Sequence, residues 1–200
     1  MRHDPTTLPA DLPRPTDDGA AAHLVGMPVP SCPLPSTSTD VVDLFSSSQQ
    51  SRLVVFAYPR TGRPGVDPPF GWDAIPGARG CTPEACAFRD VSEQFRALGV
   101  EVYGLSTQET VDQREAAARL RLPYPLLSDA GLELTTLLRL PTFTVAGMTL
   151  LRRLTMVVRE GRIEHVLYRC FRRTRRLPTS WLSSPADGRW TVLRNRGIEA

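Results

Sequence analysis

The sequence predicts an α/β domain with a central mixed sheet flanked by helices, and three observations support this. Short apolar, β-branched runs alternate with segments whose apolar residues recur at helical spacing. The last two strand-like runs are joined by a Glu160-Gly161 turn, as in a closing hairpin. A chain of 200 residues is long enough to bury one α/β core. This order of elements is typical of a thioredoxin-like fold.

The individual elements follow from local pattern. Residues 53–58 form a near-continuous apolar run that predicts a buried strand ended by Pro59. Further strands are predicted over residues 100–105, 126–128, 142–145, 154–158 and 163–168, and helices over 82–98, 108–122 and 132–140. Between residues 25 and 44 the apolar residues are spaced as in a β-hairpin edge. In the Gly- and Pro-rich loop 60–80, Phe70 and Trp72 are the expected anchors.

Composition divides the chain into an arm, a domain and an Arg-rich tail at residues 169–200. Residues 1–24 have little apolar periodicity and predict a flexible N-terminal arm, while residues 25–168 form the domain. The N-terminus lacks the apolar segment of a signal peptide, and no run of 18 apolar residues exists. Four cysteines are too few for a disulfide-stapled secreted scaffold. We therefore expect a cytoplasmic protein that does not cross a membrane.

Charge is distributed unevenly, and the chain contains no Lys. Residues 1–168 hold 16 Arg and 19 acidic residues, a balance of −3, whereas residues 169–200 hold 8 Arg and 2 acidic residues, a balance of +6. The Arg-rich tail is compatible with nucleic-acid binding or with a solvated terminal segment. Because the basic excess belongs to the tail alone and the domain is mildly acidic, we expect no nucleic-acid partner.

The candidate chemistry is concentrated at Cys81 and Cys86. Cys81 follows Gly80 at the predicted start of a helix, where free N–H groups and the helix dipole favour a thiolate. In an intact helix, residues five apart have Cα atoms roughly 8–9 Å apart, whereas a disulfide requires about 7 Å or less. The pair can therefore bridge only if the first turn unwinds, with Cys81 attacking an oxidant and Cys86 resolving the sulfenic acid. The alternatives are a buried, inert Cys86 and a metal site, although this spacing matches no common zinc motif.

The run Gly-Cys-Thr-Pro-Glu-Ala-Cys-Ala-Phe-Arg-Asp at residues 80–90, after the Val-Val-Phe-Ala-Tyr-Pro strand, resembles the peroxiredoxins. The similarity is strongest to their bacterioferritin comigratory protein (Q-type) branch. It extends over about residues 26–168 and includes Gly-Leu-Ser-Thr-Gln at 104–108 and Leu-Leu-Ser-Asp at 126–129. The resemblance implies a peroxidase with a thioredoxin-like fold.

The same resemblance implies roles for three residues. Cys81 matches the peroxidatic cysteine and Cys86 the resolving cysteine, while the Arg153-Leu-Thr pattern matches the arginine that stabilises the thiolate and the peroxide. Arg152 is the neighbour with which Arg153 could be confused, because side chains alternate along a strand. The implied substrates are hydrogen peroxide and organic hydroperoxides, and the implied reductant is thioredoxin or a similar dithiol. We expect a monomer and neither a metal nor an organic cofactor, because sulfur carries the electrons.

The chain departs from the family pattern in the loop before the cysteine. Ala78 stands where the family has Thr, and residues 61–76 are inserted after Pro59. Thr82 or backbone N–H groups are the candidates to replace the missing hydroxyl. Glu84 adds a charge to the first helical turn, and in the family this residue can also support the cysteine loop.

Three further hypotheses remain from the sequence. Cys32 is either a second resolving thiol or a buried cysteine without a role. The protein could instead be a redox switch that is oxidised without catalytic turnover. The family pattern also ends abruptly at Arg169, and a GC-rich gene read one base out of frame produces Arg-rich sequence, so residues 169–200 are interpreted as a frameshifted tail. If so, Cys170 has no function.

Overall fold

The computed structural model describes residues 8–9, 11–38 and 41–168. At its centre lies a five-stranded mixed sheet with the strand order β5-β4-β3-β8-β9. The parallel strands are β3 (Arg52–Ala57), β4 (Val100–Ser106) and β5 (Leu126–Ser128), and the antiparallel ones are β8 (Leu154–Arg159) and β9 (Arg162–Tyr168). The predicted thioredoxin-like α/β class is confirmed, and β3 lies in the middle of the sheet because it is apolar on both faces.

In the described part of the chain, five α-helices accompany the sheet: α1 (Leu44–Ser48), α2 (Cys81–Asp90), α3 (Ser92–Ala97), α4 (Thr110–Leu120) and α5 (Glu133–Leu138). The single helix predicted over residues 82–98 is wrong, because the chain leaves helical geometry at Val91, whose φ is −116°. There the Ser92 hydroxyl donates to the Arg89 carbonyl oxygen at 2.8 Å. Such a local side-chain bond competes with continuation of the helix.

Two hairpins complete the fold. β1 (Pro33–Pro35) pairs with β2 (Val41–Asp43), which confirms the hairpin expected between residues 25 and 44. β6 (Thr142–Val145) pairs with β7 (Met148–Leu151), a strand that the sequence did not indicate. Its turn consists of Ala146 and Gly147, both with positive φ. Ala146 occupies the position at which Asn or Asp usually precedes Gly in such a turn, so the usual hairpin signal is missing from the sequence.

The core lies on both faces of the sheet, and alternation along β3 assigns residues to each face. Leu53, Val55 and Ala57 belong to one buried cluster, whereas Val54 and Phe56 belong to the other. On this second face Phe56 stacks on Phe88 of α2, with ring centroids 4.3 Å apart. The aromatic contact fixes α2, and with it both cysteines of the motif, against the centre of the sheet.

The last residues of the segment predicted to be a flexible arm, 1–24, pack against the domain predicted from residue 25. Ala21 and Leu24 are buried in the cluster that contains Leu53, and residues 22–24 form a 3-10 turn. Leu24 is apolar and fully buried, so packing outweighs the weak local pattern. The described residues before Ala21 are mostly exposed. The tail at 169–200, including Cys170, lies outside the described residues. Within the described ranges, no helix has the length and apolarity needed to cross a membrane.

Candidate active site

Cys81 is the first residue of α2 and lies at the base of a cleft. Gly80 precedes it with a φ of 101°, a conformation that favours glycine, and its carbonyl oxygen accepts from the Glu84 N–H at 3.0 Å. The Cys81 side chain is only 4% exposed. A tight glycine turn therefore places the thiol beneath the surface but at the edge of an opening.

Arg153 provides the cation at this thiol. Its Nη2 lies 3.0 Å from Cys81 Sγ, and its Nη1 contacts a carboxylate oxygen of Glu84. Its Nε also donates to the Gly77 carbonyl oxygen at 2.7 Å, and its Nη2 to that of Arg79 at 2.9 Å. One buried guanidinium thus connects the cysteine, the helix and the preceding loop, a geometry that suits the planar fork of arginine.

The neighbouring Arg152 points elsewhere. Its Nε donates to the Thr142 carbonyl oxygen at 2.9 Å, at the β6–β7 hairpin. The structure therefore brings Arg153, and not Arg152, to the thiol. Both arginines lie in the short connection between β7 and β8, and their hydrogen bonds hold them on different partners.

The electrostatics of Cys81 are a balance of opposing effects. Burial raises the pKa of the Cys81 thiol above its ordinary value and outweighs the Arg153 guanidinium, which lowers it, while the Glu84 carboxylate raises it further. The backbone N–H of Arg60 also donates to the sulfur and lowers the pKa. Stabilisation of the thiolate therefore depends on Arg153 and Arg60, in addition to the helix N-terminus that the sequence indicated.

Glu84 shares this buried setting. Burial raises the pKa of its carboxyl, and Arg153 opposes that shift. In their ion pair, the Glu84 side chain is 10% exposed and the Arg153 side chain is 3% exposed. A buried pair of this kind requires hydrogen bonds to its remaining donors, and the loop carbonyls of Gly77 and Arg79 accept them.

An open cleft leads to Cys81. Its walls come from the inserted loop, between residues 60 and 72, and from residues 78–82. Trp72 is buried here and packs on Phe143 with centroids 6.1 Å apart, which confirms it as an anchor. Phe70 is fully exposed, so its expected anchoring role is wrong. Along the chain, Gly71 separates Phe70 from Trp72 and has a left-handed conformation. Trp72 belongs to the 3-10 turn that follows, and Phe70 does not.

The inserted loop is tied to α4 and to itself by polar contacts. The Thr61 N–H donates to Gln108 Oε1 at 2.7 Å, and Arg119 Nη2 donates to the Gly62 carbonyl oxygen at 2.9 Å. At the other end of the loop, Arg79 Nε pairs with Asp73 at 2.5 Å. These contacts hold the wall of the cleft over the thiol.

The position that carries a hydroxyl in the family is apolar here. Ala78 is buried, and its carbonyl oxygen accepts from the Cys81 thiol at 3.6 Å. Thr82 lines the cleft, and within the described part of the chain its buried hydroxyl has no hydrogen-bond partner. Of the two candidate substitutes, the Arg60 backbone N–H lowers the pKa of the Cys81 thiol by hydrogen bonding, and the Thr82 hydroxyl is buried beside the cleft.

Cys86 lies on the same helix but in a different environment. It is partly buried against the aromatic cluster, and burial raises the pKa of its thiol. The charged groups that act on it are Arg89, Asp90 and Arg119. Both Cys81 and Cys86 are free thiols within an intact α2. The structure therefore shows a wound helix that holds the two thiols apart.

The family follows from comparison with known proteins. A family model described as Redoxin matches residues 24–175, more than half of the chain. The chain belongs to the redoxin family. Curated proteins similar to this redoxin include Q-type peroxiredoxins: it is 48% identical over 52 residues to the chloroplastic peroxiredoxin Q of Arabidopsis thaliana (26% of this chain, 24% of the relative). It is 44% identical over 70 residues to that of Gentiana triflora (35% of this chain, 31% of the relative).

Solved structures agree with this assignment. The peroxidoxin BcpB of Mycobacterium tuberculosis has a TM-score of 0.59 at 26% identity, covering 74% of this redoxin and 86% of that chain. PrxQ of Xylella fastidiosa has a TM-score of 0.58 at 19% identity, covering 72% and 85%, and supports the fold alone. The alignments to curated relatives span only about a quarter to a third of their length. The expected peroxiredoxin resemblance is thus confirmed.

Cys32 lies apart from the site of this redoxin. It is buried in the cluster on the opposite face of the sheet from Cys81, with Sγ 3.9 Å from Glu133 Oε2. Burial and nearby carboxylates raise the pKa of its thiol. The geometry does not support a second resolving role. Within the described residues, no group of three or more His, Cys, Asp or Glu side chains could hold a metal ion.

Two contributors were missed by sequence reasoning. The Arg60 backbone N–H was not identified, although the position directly after Pro59 was the available signal. Tyr124, whose hydroxyl donates to the Ala85 carbonyl oxygen in α2, was not singled out either. The contact of Tyr124 leaves no trace in sequence spacing, because Tyr124 and Ala85 are distant along the chain.

Proposed function

We propose that this redoxin is a thiol peroxidase in which Cys81 is the peroxidatic cysteine and Cys86 the resolving cysteine. The single observation that carries the proposal is the 3.0 Å contact between Cys81 Sγ and Arg153 Nη2 at the base of a cleft. A buried cation favours both the attacking thiolate and the oxygen that develops charge. The family membership adds support.

The proposed chemistry starts with the Cys81 thiolate, which attacks one peroxide oxygen. The S–O bond forms as the O–O bond breaks, and the leaving oxygen takes up a proton to become water or an alcohol. Arg153 stabilises the charge on the oxygens, while the Arg60 N–H and the Thr82 hydroxyl are placed to donate hydrogen bonds. Glu84 fixes the orientation of the guanidinium through their buried ion pair.

Resolution completes the cycle. The Cys86 sulfur attacks the Cys81 sulfenic acid, the S–S bond forms, and hydroxide leaves with the thiol proton as water. An external dithiol then reduces the disulfide, and we propose thioredoxin for this role. Because both cysteines belong to one helix, the cycle needs only one subunit, which is consistent with a monomer.

The cleft supports organic hydroperoxides as substrates alongside hydrogen peroxide. Val66, Pro68, Pro69 and Trp72 provide apolar wall area next to the thiol. Contact of an alkyl group with such a wall stabilises a bulky hydroperoxide and leaves hydrogen peroxide unaffected. The inserted loop is thus the proposed determinant of substrate range.

Val66→Asn tests this wall, because Val66 lines the cleft and is already 55% exposed. We expect kcat/KM for cumene hydroperoxide to fall by about 3- to 10-fold while kcat/KM for hydrogen peroxide is unchanged. Phe70→Ser is the matched control, since Phe70 is exposed on the same loop but does not line the cleft. An equal loss with both peroxides would contradict the proposed substrate role of the loop.

The function itself is tested by steady-state peroxide consumption with thioredoxin and its reductase. We expect sustained turnover by the unaltered protein and by Cys32→Ser. Oxidation of Cys81 without turnover would instead support the redox-switch alternative.

A further inference from the structure

Tyr124 makes a buried contact with the segment that separates the two cysteines. Its hydroxyl donates to the Ala85 carbonyl oxygen at 2.6 Å, and the residue is 7% exposed. The ring packs edge-on against Phe56 with centroids 5.7 Å apart. Tyr124 precedes β5, so it belongs to the sheet side of the contact and holds α2 from outside the helix.

The C-terminal half of α2 is anchored independently of Tyr124. Arg89 Nη1 donates to the Leu120 carbonyl oxygen at the end of α4, at 2.9 Å. Phe88 stacks on Phe56 with centroids 4.3 Å apart. Because these contacts fix the helix from Phe88 onward, the unwinding that brings the cysteines together falls between Cys81 and Phe88. Ala85 is in the middle of this stretch.

We propose that Tyr124 is a positioning residue that keeps α2 wound and thereby sets the rate at which Cys86 condenses with the Cys81 sulfenic acid. The inference rests on the proposed function. Residues five apart in a helix have Cα atoms roughly 8–9 Å apart, and the disulfide needs about 7 Å or less. The Ala85 carbonyl must therefore move before the S–S bond forms and water leaves, and the Tyr124 hydroxyl must release it.

Removal of the hydroxyl therefore speeds resolution. In Tyr124→Phe the ring keeps its packing on Phe56, and the Ala85 carbonyl keeps its place in the helix. A net intramolecular hydrogen bond of this kind corresponds to about a 2- to 10-fold change in the opening equilibrium. We expect disulfide formation to be faster by that factor while the rate of sulfenic acid formation is unchanged. A longer-lived sulfenic acid is oxidised further to sulfinic acid, so the variant should also resist this inactivation.

The experiment mixes the reduced full-length protein with one equivalent of hydrogen peroxide, quenches it with acid and an alkylating agent at set times, and quantifies Cys81 sulfenic acid and disulfide by mass spectrometry. Tyr103→Phe is the matched control. It also removes the hydroxyl of a buried tyrosine, but on the opposite face of the sheet. This hydroxyl donates to Glu101 at 2.5 Å. We expect it to leave both rates unchanged.

Amide hydrogen exchange on the reduced proteins separates local opening from a general loss of stability. The proposal expects faster exchange at residues 82–87 in Tyr124→Phe, with β4 unchanged. Unchanged or slower disulfide formation in Tyr124→Phe would overturn the inference. If the disulfide forms normally in the wild-type protein, the proposed function still stands. Absence of both the Cys81 sulfenic acid and the Cys81–Cys86 disulfide in the peroxide-treated wild-type protein would instead overturn the proposed function, and the inference with it.

Discussion

Cys81 and Cys86 lie five residues apart on one helix, yet their surroundings differ in kind. Cys81 is almost completely buried, and the Arg153 guanidinium lies 3.0 Å from its sulfur. Cys86 is more exposed and is influenced by a mixed set of charges, with Arg89 and Asp90 acting in opposite directions. The Cys81 end of α2 is built around a buried contact between a sulfur and a guanidinium, and the Cys86 end is not.

The Cys81 end of α2 is already arranged for reaction, whereas the reaction between the two cysteines requires the helix to move. At the Cys81 end, Arg153 holds the loop carbonyls of Gly77 and Arg79 and the Glu84 carboxylate in one network. Attack on a peroxide therefore needs no rearrangement there. The proposed reaction with Cys86 does require one, because the wound helix keeps the two sulfurs apart. A single helix thus serves a rigid step and a mobile step.

The largest effect is expected from exchanging each cysteine for serine. Cys81→Ser should lower peroxide consumption by at least about 10³-fold, because no other described thiol lies beside a comparable cation. Cys86→Ser should keep the first turnover and lose steady-state turnover with thioredoxin by about 10- to 100-fold, since an intramolecular partner is lost. Stopped-flow and steady-state assays measure the two phases.

Chemical trapping of the sulfenic acid supplies the control for the two cysteine variants. Dimedone should label the Cys81 sulfenic acid in peroxide-treated Cys86→Ser and should find none in Cys81→Ser. Normal steady-state turnover by Cys86→Ser would remove the resolving role from Cys86.

Arg153→Gln tests the electrostatic half of the comparison, with Arg152→Gln as the neighbouring control. We expect the rate of sulfenic acid formation to fall by about 10²- to 10³-fold. Loss of the guanidinium also raises the pKa of Cys81 further, because Arg153 lowers it in the intact site. Less thiolate is then present at any pH below that pKa, so the rate profile should move to higher pH.

Alkylation by iodoacetamide across a pH series measures this shift. The Cys86 profile should change little, as Arg153 is not among the groups that act on Cys86. A profile of Cys81 that is unchanged in Arg153→Gln would contradict the account of the site.

Glu84→Gln should give a smaller effect with the opposite sign. The Glu84 carboxylate raises the pKa of Cys81, so a neutral amide lowers it and moves the profile to lower pH. The amide oxygen still accepts from Arg153, and we expect the rate constant at high pH to stay within about tenfold of the unaltered protein. A shift to higher pH would show that Glu84 acts mainly by holding Arg153 in place.

Much of this arrangement could be predicted from the sequence. Apolar, β-branched runs correctly indicated the central strands, and the Arg-Leu-Thr pattern indicated Arg153 over Arg152. Long-range contacts could not be predicted. The burial of Leu24, the exposure of Phe70 and the bond from Tyr124 to Ala85 depend on how distant segments pack, and local periodicity carries no information about that.

The break at Val91 illustrates a second kind of failure. The apolar spacing of residues 86–98 is that of a continuous helix, yet the Ser92 hydroxyl bonds to the Arg89 carbonyl and the chain bends there. Local hydrogen bonding outweighed periodicity, and the bend gives α2 its own C-terminus at Asp90, near the Arg89 anchor.

Peptide mapping of the full-length protein after one equivalent of hydrogen peroxide tests the central claim most directly. The account predicts a disulfide between Cys81 and Cys86, with Cys32 still a free thiol. A disulfide that joins Cys81 to Cys32, or oxidation of Cys86 while Cys81 remains reduced, would contradict the assignment of the two ends of α2.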